Sequence, residues 1–208
     1  NAPDWRWLHV GEMAVFFLVP ALFLTFYCGN WPRRFSLPVN VLIRTVITIA
    51  GKGSLGFSGD GGPATNAAFR DPYGLAIGPD GTLYVADNGN YRIRAIAPAS
   101  GFITTVAGNG TFGETGDGGP ATNATIDSVI SIAVDRARHA LYLCEGNNNR
   151  VRKVNLTNGL ISNYAGTGLA GFGFSGDGGP ATSAWFAFPE SVCTDGTGKL
   201  AISDVFND

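Results

Sequence analysis

The sequence predicts an all-β chain of tandem four-stranded units preceded by a single apolar helix. Three observations predict it. The string Gly-Asp-Gly-Gly-Pro-Ala-Thr occurs three times, starting at Gly59, Gly116 and Gly176, with starts 57 and then 60 residues apart. Self-similarity at such a period is the mark of a repeat architecture. Gly is abundant (30 residues) while charged residues make up only 14%, with 45% apolar and 12% aromatic, a composition of short strands and tight turns rather than disorder. Residues 13 to 32 carry no charge at all, between Glu12 and Arg33.

After the flank 1–12, the stretch 13–32 has the length needed to span a hydrocarbon core of about 30 Å. Met13, Phe16, Phe17, Leu18, Leu22, Phe23, Leu24, Phe26 and Tyr27 form its apolar surface. Trp5 and Trp7 stand on one side and Tyr27 and Trp31 on the other, where interfacial aromatics belong. The expectation is a single-pass transmembrane helix contacting the bilayer through residues 13–32, with 33–44 as a linker. Arg33, Arg34 and Arg44 put the following domain on the positive-inside side, whereas the sequons at Asn109, Asn123 and Asn155 have meaning only in a secretory lumen. The sequence leaves both orientations, and the choice between organellar and plasma membranes, open.

The units run over 45–208. Aligned on the repeated string, each begins with a strand ending in Ala-Gly: 46–51, 103–108 and 161–166. The string follows, with Pro63, Pro120 and Pro180 expected at the first position of a helical turn. A large apolar residue closes that turn: Phe69, Ile126 or Phe186. Next come strands at 73–77, 130–134 and 190–194, then a turn, then 83–87, 141–145 and 200–204. The last strands are 91–96 and 150–154, leading back to an Ala-Gly strand. Four strands per period in up-and-down order are blades of a β-propeller. Two full blades and half a third form an incomplete ring, to be closed by further chain, a partner or a second copy. The first is the expectation, since an open ring leaves bare strand edges.

Gly74-Leu-Ala-Ile77, Leu83-Tyr-Val-Ala-Asp87, Asn90-Tyr-Arg-Ile-Arg94 and Asn148-Asn-Arg-Val-Arg-Lys-Val154 resemble the NHL repeat. The long form with Gly-Phe-Ser-Gly-Asp-Gly-Gly-Pro-Ala-Thr is similar to NHL repeats of bacterial proteins and teneurin-type receptors. The resemblance covers about residues 44 to 208. It implies a propeller scaffold, and it allows lyase or hydrolase relatives with channel metals held by His or Asp; that His pattern is absent here.

Candidate chemistry is sparse. Gly59, Asp60, Gly61, Gly62 and Pro63 recur as Gly116, Asp117, Gly118, Gly119 and Pro120, and as Gly176, Asp177, Gly178, Gly179 and Pro180. Asp60, Asp117 and Asp177 are candidate metal ligands, but the motif lacks alternating acidic ligands and its copies fall one per blade. The expected role is structural: each Asp binds backbone N–H groups and caps the helical turn. Asp87-Asn-Gly-Asn90 is only a faint Ca²⁺ loop, and Arg92 and Arg150 are expected to reach the acidic position at 87 or 145 and the turn carbonyls. His9 and His139 belong to no catalytic set. Cys144 and Cys193 are expected as small buried hydrophobes. No cofactor is expected. With 14 basic and 16 acidic residues, nucleic acid is disfavoured as a partner. The expected function is a non-catalytic interaction or assembly subunit in a larger membrane complex, with other protein subunits as partners. A propeller lyase or hydrolase and a cell-surface adhesion propeller are the alternatives.

Overall fold

Alternation of apolar and polar residues, interrupted by Gly-rich turns, folds the chain into three consecutive antiparallel sheets in a computed structural model. The structure describes residues 47–207. The first sheet holds β1 (Pro72–Ile77), β2 (Leu83–Asp87), β3 (Arg92–Ile96) and β4 (Ile103–Ala107) in sequence order. The second repeats the order with β5 (Val129–Asp135), β6 (Ala140–Glu145), β7 (Arg150–Asn155) and β8 (Ile161–Ala165). A third pairs β9 (Pro189–Thr194) with β10 (Leu200–Asp204). These are blades of a β-propeller.

The first strands of successive blades, β1, β5 and β9, lie side by side. Period-two alternation then decides which neighbour each side chain meets. Ile132 faces the first blade, in a core with Ile93, Leu141, Leu143 and Ile161. Its neighbour Ala133 faces the third, with Tyr142, Val151 and Val192. In the first blade, Leu75, at the position of Ile132, is 64% exposed. Among the described residues no blade covers this face, where Tyr73 and Ile77 lie beside Leu75.

Cys193 corrects an expectation. It occupies the position of Ala133 but faces no described blade, so it is exposed, while Cys144 is fully buried. Burial pushes the Cys144 thiol up to about 12, aided by the nearby Glu145 carboxylate. Thiolate is the reactive form, so at pH 8 iodoacetamide should modify Cys193 and spare Cys144 until the chain is unfolded. Peptide mapping by mass spectrometry checks this; equal labelling of both in the native state would contradict the packing of β6.

Three further expectations need correction or placement. Residues 47–51 form no strand; Ile47 and Ile49 are exposed. An outer strand needs an inner one to pair with, and none lies beside it among the described residues. Pro63, Pro120 and Pro180 stand just before the helical turn rather than at its first position. Their ψ of 129° to 134° is extended, and Pro63 and Pro120 bridge to Phe102 and Leu160 at the β3–β4 and β7–β8 hairpins. The turns themselves are single 3₁₀ turns, Ala64–Asn66, Ala121–Asn123 and Ala181–Ser183. The expected transmembrane helix at 13–32, with its residues Met13 to Tyr27, lies outside the described residues. Among the described residues no helix is long and apolar enough to cross a membrane.

Candidate functional site: an arginine clamp in each blade

The repeated string folds into a loop that approaches the third strand of its own blade. Gly59 and Gly116 lie at φ +93° and +100°, and a Cβ at either would stand 2.7 Å from the Cα of Ala67 or Ala124. Only glycine permits that approach, which aims the next residue, Asp60 or Asp117, at the blade.

The carboxylate that arrives does not cap the 3₁₀ turn, correcting the expectation for these residues: none of the three turns has a side-chain cap. Asp60 instead takes the guanidinium of Arg94. Nε and Nη2 of Arg94 donate to its Oδ1 at 3.0 and 2.6 Å. The other oxygen accepts from the backbone N–H and hydroxyl of Thr105 on β4, at 3.2 and 2.6 Å. Nη1 of Arg94 donates to Asp87 Oδ2 at 3.2 Å, and Nη2 to the Ser58 carbonyl at 3.1 Å. Arg94 is fully buried, and a guanidinium has five N–H donors to satisfy. The loop, β2 and β3 thus converge on one side chain.

The second blade repeats the arrangement. Nε of Arg152 donates to Asp117 Oδ1 at 2.9 Å, Nη1 to the Thr125 carbonyl at 2.9 Å and Nη2 to the Thr115 carbonyl at 3.1 Å. Glu145 takes the place of Asp87, 3.6 Å from Arg152 Nη1, and also pairs with Arg150 Nε at 2.9 Å. Burial pushes the Glu145 carboxyl up, against the pull of Arg150 and Arg152. A longer acid carries a second arginine, which is why Arg150 reaches it as expected. Arg92 does not reach Asp87; it donates to the carbonyls of Asn90 and Asn109 and lies 3.8 Å over the Phe57 ring. Desolvation lowers its pKa, with the charge of Arg94 adding to the effect.

The faint Ca²⁺ loop is also accounted for. Asn90 Nδ2 donates to both Asp87 oxygens at 2.8 and 2.9 Å, and Arg70 N–H to one at 2.8 Å. With Arg94 these donors surround the carboxylate, so Asp87 serves the blade. Among the described residues no three His, Cys, Asp or Glu side chains are grouped to hold a metal.

Asp177 differs. The third sheet has no third strand among the described residues, and Asp177 lines a cavity of about 250 Å³ with Phe174, Ser175, Trp185, Ile202, Asp204 and Asn207. Of the buried pair of arginines sequence reasoning missed, Arg94 and Arg152, both follow their motif Asp by 34 or 35 residues. That recurrence in a charge-poor chain was the available signal.

This clamp geometry runs through the segment that known proteins share. The Teneurin NHL domain family matches residues 50–97, from the first repeated loop through β3. NHL repeat-containing protein 2 of Bos taurus is 25% identical over 183 residues, 83% of this chain and 24% of that protein. The first repeat is similar to the NHL repeats of these proteins. Over that repeat, Teneurin-1 of Homo sapiens is 63% identical across 41 residues, 20% of this chain and 2% of that protein. The chain spans no more than about a quarter of the length of these curated relatives. Among solved structures, a Bacteroides thetaiotaomicron VPI-5482 protein described as of unknown function superposes with a TM-score of 0.56 at 24% identity, over 72% of this chain and 35% of that one. The likeness is one of fold.

Proposed function

We propose that the chain is a non-catalytic interaction module, an NHL propeller segment held at a membrane by residues 13–32 within a larger assembly. The observation that carries this reading is where the charges go. Asp60, Asp87, Asp117 and Glu145, the acidic residues that invite a ligand reading, hold Arg94, Arg150 and Arg152 inside the blades. Recognition is left to the loops that the rigid blades present, since loops on a rigid scaffold carry binding. The uncharged stretch 13–32 supports the anchor and its Trp and Tyr flanks the interfacial depth.

Two measurements test it. Carbonate washing of native membranes should leave the protein in the pellet, and release into the supernatant would remove the anchor. In mild detergent the protein should migrate with other subunits; migration as a free chain with lyase or hydrolase turnover would favour the enzyme alternative.

A further inference from the structure

Each blade holds out one large apolar side chain at the same loop position. Leu55, Phe112 and Phe172 stand five residues before the motif aspartates Asp60, Asp117 and Asp177. They are 83%, 61% and 66% exposed. The loops that carry them are fastened. The carbonyl of the next residue, Gly56, Gly113 or Gly173, accepts from the side-chain amide of Asn90, Asn148 or Asn207 at 2.7, 3.2 and 2.7 Å. Asn90 and Asn148 belong to the β2–β3 and β6–β7 turns, so the tips lie at that end of the sheets. Phe112 shows that the exposure belongs to the loop itself. Its loop joins two complete four-stranded sheets, and its ring meets the edge of Tyr91 with centroids 6.1 Å apart, yet it faces solvent. Tips held in place before contact keep the ordering cost of binding low. At the opposite end Phe102 and Leu160 are bridged to Pro63 and Pro120, and the surface there carries the exposed charges of Asp80, Arg136, Arg138 and Asp195.

The residues leading into the first tip identify what these tips meet. Leu55 follows the uncharged stretch 13–32 by 23 residues. From Arg33 to Gly59 stand four basic residues, Arg33, Arg34, Arg44 and Lys52, and no acidic one. Lys52 is exposed three residues before Leu55. We propose that Leu55, Phe112 and Phe172 dock this end of the blades onto an anionic lipid bilayer. The apolar tips enter the boundary between headgroups and acyl chains, and the cations of 33–59 meet the negative headgroups. An apolar signal and an electrostatic one reinforce each other at such a surface. The docking rests on the reading of residues 13–32 as a membrane anchor, which brings the domain to the bilayer; the tips then set which end of the blades faces it.

The test uses the full 208-residue chain reconstituted in vesicles of phosphatidylcholine and phosphatidylserine. Phe112→Cys carries a fluorophore in a chain with Cys28→Ser and Cys193→Ser, Cys144 being buried. Ala99→Cys, exposed on the β3–β4 hairpin at the other end, is the control. At position 112, brominated acyl chains should quench the label and aqueous iodide should not; at position 99 the pattern should reverse. Lys52→Gln should lower the ratio of docked to free label about fivefold, the effect of one basic residue at an anionic surface. An unchanged ratio would overturn the choice of an anionic surface. Equal iodide quenching at the two positions would overturn the docking. Shielding from iodide at position 112 without quenching by the lipid would overturn it in favour of a second copy of the chain. Carbonate washing of the same vesicles reads the anchor separately. A chain that stays with the lipid while its label at 112 is open to iodide loses the docking alone. A chain released by carbonate, after lipid quenching at 112, loses the anchor alone.

Discussion

Arg94→Ala should destabilise the blades by about 3–5 kcal/mol, read as a lowered midpoint in urea unfolding. The side chain is fully buried and joins Asp60, Asp87 and the Ser58 carbonyl. Removing it leaves the Asp87 carboxylate, itself fully buried, facing a void with only Asn90 and the Arg70 N–H to donate to it. An uncompensated buried charge is worse than an absent one, so the loss exceeds that of breaking an exposed pair. Arg94→Lys should recover only part of it, because one ammonium cannot face Asp60, Asp87 and Ser58 together. Arg152→Ala should behave alike.

The second large effect is expected at a glycine. Gly116→Ala should cost about 1–2 kcal/mol for a left-handed backbone and about 1–3 more for forcing a methyl against the Ala124 Cα at 2.7 Å. Gly118→Ala, two residues on at φ +83° with nothing within 4 Å, should cost the backbone part alone. Thermal unfolding of the two variants checks the ranking. Equal losses would mean that the loop yields at Ala124 and that close approach does not set the position of Asp117.

The blades were legible in the sequence because their signals are local. Alternation and flanking turns located β2 and β10 at the residues where they fold, Leu83–Asp87 and Leu200–Asp204. The first strand of each blade was equally clear. The clamp was harder to read because its halves are distant in sequence. Asp60 sits in a Gly-rich turn, where a cap is the nearest explanation, and its partner lies 34 residues on. Arg92 and Arg94 are also two residues apart on one strand, and only three-dimensional packing decides which of them enters the blade. Cys193 was misjudged for a related reason: it stands on β9 where Ala133 stands on β5, but burial needs a neighbouring blade. The turn prolines were placed one position too far in, because their bridges to Phe102 and Leu160 hold them extended.

The central claim is that the repeated aspartate exists to hold the third-strand arginine of its own blade. A double-mutant cycle with Asp60→Ala and Arg94→Ala in urea unfolding tests it most directly. The clamp predicts a coupling energy of at least about 1 kcal/mol, with the second substitution costing much less once the first is made. Losses that add to within about 0.5 kcal/mol would contradict it.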